Sequence, residues 1–241
     1  MTKLYRKNEI MFAILWIVLY VVLSSIADQY SEAIGVYKSL TTVLHLVMSL
    51  ILYFWIRKNG LGDKYGFCSP KVPAKKFLYY IPLIIIVSMG LWNGVVLRYG
   101  MPGTLFNFIS MCFVGFLEEV IFRGFLFRAM EKDDLKSAII VSSLTFALGH
   151  IANLLNGKEL ASTMVQIIFA VLVGLVLVLI FHNGGSLIPC IIFHSANNAL
   201  HSFTAEGTLD PKIEMILNVF LIVVVLGGYA VYLIKAFPEK K

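Results

Sequence analysis

The sequence predicts an all-α membrane protein, a polytopic bundle of about eight transmembrane helices, and three observations predict it. Of its 241 residues, 59% are hydrophobic and 14% are charged, whereas soluble domains have about 45–50% apolar and about 25% charged residues. The mean hydropathy is +0.85. Apolar runs of about 20 residues, the length that crosses a bilayer as a helix, recur along the chain. Since no hydrophilic stretch is long enough for a second domain, we expect residues 1–241 to form one domain.

These apolar runs give the helical elements in order. The first follows three basic residues, as in a signal peptide, but residues 10–27 are longer than a typical signal core and no small-residue cleavage site follows. We therefore expect a retained first span. Pro82 is expected to kink the start of the third span. The eight predicted spans cover residues 9–27, 38–57, 76–98, 104–129, 136–155, 160–182, 185–203 and 214–235.

The distribution of basic residues predicts the orientation of these spans. Cytoplasmic loops of membrane proteins carry an excess of Lys and Arg, and here the excess falls in the tails and in alternate loops. Eight spans with both termini cytoplasmic satisfy this rule. The small size and the basic loops favour a bacterial cytoplasmic membrane. The residues concerned are Lys3, Arg6, Lys7, Arg57, Lys58, Lys64, Lys71, Lys75, Lys76, Arg128, Lys132, Lys136, Lys235, Lys240 and Lys241.

Cysteine number and net charge exclude several functional classes. Cys68, Cys112 and Cys190 are far apart and odd in number, so they predict neither a disulfide framework nor a thiolate metal site. We expect them to be packing residues. The net charge of +6 is accounted for by the basic loops and does not indicate a nucleic-acid partner.

Three ionisable side chains lie within six residues of the fourth predicted span. An ionisable residue at the centre of a membrane helix costs roughly 2.5–3.5 kcal/mol on insertion scales and usually has a function. Glu119 and Arg123 are four apart and can pair on one helix face. Glu118 projects about 100° away, so it is the carboxylate left available as a general base. A buried packing pair with a spare acid is the alternative.

Two further polar groups lie on the fifth and seventh predicted spans. Phe146 and His150 share a helix face, although a lone histidine in an apolar helix is more often a packing residue than a catalyst. His194 and Asn198 also share a face and could donate two hydrogen bonds to one point, as an oxyanion requires. Ser195 lacks the surrounding motif of a serine nucleophile.

Depth in the bilayer brings these groups together. At about 1.5 Å per residue of helix, Glu118, His150 and His194 all fall in or near the middle third of a hydrocarbon core roughly 30 Å thick. We therefore expect them to meet in one cavity. His45 in the second span has no partner of this kind, and we expect it to pack or to bond between helices.

The three motifs together resemble the CPBP family of CAAX proteases and bacteriocin-processing or immunity proteins, also called the Abi family. They are E-E-x-x-x-R, F-x-x-x-H and H-x-x-x-N, in this order on separate membrane helices, within residues 104–203. Each motif is common, whereas the ordered set is specific. In this sequence they stand at Glu118, Glu119, Arg123, Phe146, His150, His194 and Asn198.

The resemblance implies an intramembrane endopeptidase. In such a site Glu118 and His150 would activate a water molecule, and His194 and Asn198 would hold the tetrahedral oxyanion. The expected substrates are membrane-associated: prenylated or lipid-anchored C-termini, peptide pheromones, leader peptides or bacteriocin precursors.

The resemblance also assigns Glu119 and Arg123 the role of fixing the helix geometry. It leaves the cofactor open, because Glu118, His150 and His194 could ligate zinc with water in the fourth position. However, an H-E-x-x-H motif is absent, and water activation without a metal is the favoured prediction.

Two other functions are compatible with the sequence. One is a non-catalytic membrane protein that binds a bacteriocin and gives immunity, in which the cavity would be vestigial. The other is a proton- or ion-coupled transporter that uses Glu118 and Glu119 as carriers. The absence of an internal repeat in the sequence argues against a transporter.

Overall fold

The chain folds as a bundle of helices. The structure, a computed structural model, describes residues 1–151, 159–205 and 210–238. Within these ranges it has no β-strand, and its isolated antiparallel bridge joins Val95 and Thr204. The predicted all-α class is therefore confirmed.

Nine helices make up the described part of the chain, and two contain π-helical stretches. The π-helical stretches are Glu119–Phe127 and Val223–Gly227. Short 3-10 turns cover Ala74–Tyr80, Gly149–Ile151 and His201–Phe203. The helices are α1 (Thr2–Lys7), α2 (Glu9–Ala33), α3 (Ser39–Lys58), α4 (Ile81–Met89), α5 (Gly100–Met130), α6 (Leu135–Leu148), α7 (Leu160–Gly184), α8 (Ile188–Leu200) and α9 (from Pro211 to Ala236).

Five of these helices, α2, α3, α5, α7 and α9, are long and apolar enough to cross a membrane. Helix α6 and the turn after it form a shorter apolar helix, Leu135–Ile151. The end of the fifth predicted span, residues 152–155, lies outside the described residues. The count of eight spans therefore remains a prediction, with five candidates seen in the described ranges.

The third predicted span, residues 76–98, differs most from the structure. Its regular helix is Ile81–Met89, which at 1.5 Å per residue is about 13 Å long. The reason is local, because Leu78, Tyr79 and Tyr80 have left-handed backbone angles, with φ between 50° and 59°. This conformation cannot continue a right-handed helix. Pro82 lies in the first turn of α4, where its missing N–H costs nothing.

One end of the bundle collects the N-terminus, two of the basic loops and the end of the last helix. The Lys64 ammonium lies 2.6 Å from Glu9 Oε1, and the Lys132 ammonium lies 2.8 Å from Glu9 Oε2. The Tyr232 hydroxyl donates to the backbone carbonyl of Lys76 at 3.2 Å. We call this the basic end. Loops from different parts of the sequence thus meet there.

Helix α5 lies at the centre of the bundle, and Gly115 allows α8 to approach it closely. A Cβ atom at Gly115 would collide with the backbone nitrogen of Ser195 and lie 2.7 Å from its Cα. The Ser195 hydroxyl donates to the carbonyl of Cys112 at 2.8 Å, across the same contact. The hydroxyl of Ser195 is therefore used in helix packing. The close contact places the residues after Gly115 beside those around Ser195.

We expect Gly115→Ala to destabilise the protein. The added methyl group meets backbone rather than a flexible side chain, and overpacking of this kind costs about 1–3 kcal/mol. The matched control is Gly228→Ala on α9, where an added Cβ meets nothing within 4 Å. Thermal unfolding in detergent checks this: the melting temperature falls for Gly115→Ala and stays unchanged or rises for the control. Equal melting temperatures would contradict the close contact.

Candidate active site

The Glu119–Arg123 pair is completely buried in the centre of the bundle. Both side chains have 0% exposure, and Arg123 Nη1 lies 3.0 Å from Glu119 Oε1. The prediction that these residues pair is confirmed. The segment is π-helical, not α-helical as expected, and such segments are common at functional sites.

The Phe146 ring packs against the guanidinium of this pair. The Arg123 guanidinium lies 4.2 Å from the ring centroid, and a cation over an aromatic face is stabilised by the ring quadrupole, most strongly where water is excluded. The rings of His150 and His194 both meet Phe146 edge to face, with centroid distances of 5.7 and 5.5 Å. Phe146 is therefore the residue that the two imidazoles and the guanidinium have in common.

His194 joins the two glutamates. Its Nδ1 lies 2.8 Å from Glu119 Oε1, and its Nε2 lies 3.3 Å from Glu118 Oε2. Glu119 Oε1 thus accepts from His194 while it faces Arg123. A carboxylate that accepts from one ring nitrogen fixes the tautomer and the orientation of the imidazole. The ring is held so that its second nitrogen faces Glu118.

Glu118 is the more accessible of the two carboxylates. Its side chain is 13% exposed, against 0% for Glu119. Its Oε1 accepts a hydrogen bond of 2.7 Å from the hydroxyl of Tyr20. The two neighbouring acids therefore differ as helical phase predicts: Glu119 is enclosed with a cation, and Glu118 keeps some access to its surroundings.

The remaining predicted residues, His150 and Asn198, lie next to this cluster. His150 is half-buried in the 3-10 turn after α6 and reaches the other residues through Phe146. Asn198 lies one turn after His194 on α8, half-buried, and its Oδ1 accepts a 3.4 Å hydrogen bond from Asn197. Direct polar contacts thus join Glu118, Glu119, Arg123 and His194. His150 contacts the Phe146 ring, which in turn packs against Arg123 and His194.

Sequence reasoning missed Tyr20. It lies in the first apolar span, 98 residues before Glu118, and a single tyrosine in such a span carries no motif. His45, by contrast, behaves as expected. Its Nδ1 is 2.9 Å from the Ser110 hydroxyl and its Nε2 is 2.9 Å from the Ser24 hydroxyl, so it bonds α3 to α5 and α2.

The site differs from the coordination shell of a metal ion. Protein zinc sites use at least three nitrogen, sulfur or carboxylate ligands around one point. Within the described ranges, no three His, Cys, Asp or Glu side chains are grouped in this way. The described residues do not fit a metal site. A zinc ion on Glu118, His150 and His194 is the alternative that the sequence leaves open, not the favoured prediction.

One comparison with known proteins, the comparison with protein families, gave a match. Residues 100–200 match the family described as type II CAAX prenyl endopeptidase Rce1-like. This part of the chain is similar to that family, which confirms the predicted resemblance. Comparison with curated proteins and with solved structures found no match.

The matched residues contain α5, α6, α7 and α8 and every residue of the three motifs. Together with the five long apolar helices, the match supports an integral membrane protein. Helices α1 to α4 and α9 lie outside the match.

We expect Arg123→Met to destabilise the fold by about 3–5 kcal/mol, because it leaves Glu119 buried without its cation. The double variant Glu119→Gln with Arg123→Met removes both charges and should recover most of this loss, since the introduced amide oxygen can still accept from His194. Unfolding in detergent, followed by circular dichroism, measures both. If the double variant is as unstable as the single one, the ion pair is not what the fold depends on.

Proposed function

We propose that this protein is an intramembrane endopeptidase that hydrolyses peptide bonds of membrane-associated substrates. One observation carries the proposal: a partly exposed carboxylate, Glu118, lies at the end of a buried chain of polar contacts through His194 and Glu119 to Arg123. An ionisable chain of this kind inside a membrane protein is costly to bury and marks a functional site.

In the proposed reaction Glu118 is the general base. With His150 it orients a water molecule and takes one of its protons while the water oxygen attacks the carbonyl carbon of the peptide bond. The carbonyl π electrons move to the oxygen, which becomes an oxyanion. When the tetrahedral intermediate collapses, the C–N bond breaks and Glu118 returns the proton to the leaving nitrogen.

His194 and Asn198 are the proposed donors to the oxyanion. They lie one turn apart on α8, so both can point toward one oxygen atom. The bond from His194 Nδ1 to Glu119 supports this role, because a fixed ring needs no reorganisation when charge develops. Since Nδ1–H is donated to Glu119, donation from Nε2 to the oxyanion requires a ring that carries a proton on both nitrogens. The 3.3 Å separation of its Nε2 from Glu118 keeps the base and the donor around the same small volume.

Glu119 and Arg123 are proposed to hold His194 rather than to react. Their complete burial leaves no space for substrate beside them. The guanidinium neutralises Glu119, and the Phe146 ring below it limits its movement. The ordered pair therefore supplies a rigid carboxylate oxygen to the imidazole.

The proposed substrates are C-terminal peptides that carry a lipid group close to the cleaved bond. The description of the matched family supports this class, and a lipid group would partition the peptide into the bilayer at the depth of the site. Pheromone, leader and bacteriocin peptides remain in the same proposed class of membrane-associated substrates.

We further propose that the chain forms one domain with eight spans and cytoplasmic termini. The basic end supports this, because the N-terminus, the Lys64 and Lys132 loops and the end of α9 meet there. Excess basic residues at one end are typical of the cytoplasmic side.

A labelling experiment tests the orientation. In a variant lacking the three native cysteines, Lys75→Cys lies in the loop of the basic end and Glu32→Cys at the opposite end of α2, and both native residues are exposed. A membrane-impermeant maleimide should label Glu32→Cys in intact cells and Lys75→Cys only after the membrane is opened. The reverse pattern would overturn the orientation.

The central test is Glu118→Gln. This change keeps the shape of the side chain but removes the base, so we expect cleavage of a lipidated peptide by purified protein in liposomes to fall by about 10²–10⁴-fold. The control is Glu32→Gln, an exposed carboxylate, which should keep full activity. Both variants should unfold at the temperature of the unmodified protein.

Retained cleavage by purified Glu118→Gln would remove Glu118 from the mechanism. Protection of cells against a bacteriocin, if it survived the same substitution while no cleavage was found in the unmodified protein, would support the non-catalytic immunity function instead.

A further inference from the structure

Helix α2 contributes a side chain to the candidate active site from outside the matched domain. Tyr20 donates from its hydroxyl to Glu118 Oε1 at 2.7 Å. The side chain is nearly buried, at 8% exposure. Residues 100–200 match the protease family, so Tyr20 belongs to the part of the chain for which the family match assigns no role.

The Tyr20 ring is itself held in place by a histidine. Its centroid lies 5.7 Å from that of His45, with the two ring planes 34° apart. His45 cannot turn freely, because Ser24 and Ser110 occupy both of its ring nitrogens at 2.9 Å. Helices α2, α3 and α5 therefore all fix the position of the phenol.

The two oxygens of Glu118 have different neighbours. Oε1 accepts from Tyr20, and Oε2 faces His194 Nε2 at 3.3 Å. A carboxylate without the first contact could rotate and exchange its oxygens. Hydrogen bonds to a charged acceptor are short and about twice as strong as neutral ones, so the phenol is a strong constraint on this rotation.

We propose that Tyr20 is a positioning residue for Glu118. It holds one carboxylate oxygen, so that the other is presented to His194 and to the water molecule. The inference rests on the proposed function, since it assigns Tyr20 a role in the same proposed reaction. It also makes the N-terminal helices part of the working site and not a membrane anchor alone.

The test compares two buried tyrosines whose hydroxyls each donate one hydrogen bond of 2.7 Å. Tyr20→Phe removes the donor to the Glu118 carboxylate, and Tyr229→Phe removes the donor to the backbone carbonyl of Phe77, outside the candidate active site. For Tyr20→Phe we expect kcat to fall about 10–100-fold with little change in KM. Tyr229→Phe should retain the original kcat and KM.

The outcomes separate the inference from the proposed function. If the unmodified protein cleaves and Glu118→Gln does not, but Tyr20→Phe matches Tyr229→Phe in kcat, the positioning role is overturned and the function stands. If the unmodified protein does not cleave, the proposed function fails.

An infrared measurement tests the hydrogen bond from Tyr20 to Glu118 and does not require the protein to be active. The carboxylate band of Glu118 is the one lost in Glu118→Gln. It should shift in Tyr20→Phe and stay in place in Tyr229→Phe. An unshifted band in Tyr20→Phe overturns the inference at any level of activity.

Discussion

The buried ion pair of Glu119 and Arg123 is the interaction on which the rest of the site depends. Neither charge is exposed, and removing two ions from water costs several kcal/mol each unless good contacts replace the solvent. Here the contacts are shared, because one oxygen of Glu119 faces both the guanidinium and the imidazole of His194. The Phe146 ring covers the guanidinium. The contacts that compensate the charge of Glu119 thus also position His194, which contacts Glu118.

Close helix packing and these polar contacts reinforce one another. Gly115 brings α8 against α5, and three residues later Glu118 meets His194 of that same helix. A larger residue in place of Gly115 would separate Glu118 from His194 as well as the backbones of α5 and α8. In a bilayer the hydrophobic effect does not drive helices together, so small residues and polar contacts carry more of the association. The site and the fold are in this sense stabilised by the same contacts.

The sequence predicted the parts of the site that depend on local spacing. The four-residue interval predicted the Glu119–Arg123 pair and the different environment of Glu118, because a helix fixes which side chains share a face. It did not predict the bond from His194 to Glu119, which depends on how α8 docks on α5, or the bond from Tyr20. The third span was predicted to begin too early, since three left-handed residues before Pro82 leave no trace in hydropathy. The ordered motifs identified the family because their spacing along the chain is a property of sequence alone.

The π-helical stretch of α5 changes the direction in which the side chains after it point. Its hydrogen bonds run from residue i to i+5 rather than i+4, so each wide turn holds more residues than the usual 3.6. Side chains beyond Phe127 are therefore rotated about the axis relative to their positions on a regular helix. One continuous helix can then turn Glu118 and Glu119 toward α8 and, near its end, place the Arg128 guanidinium 4.1 Å from the centroid of the Phe181 ring on α7. The wider stretch thus sets which neighbouring helix each half of α5 contacts.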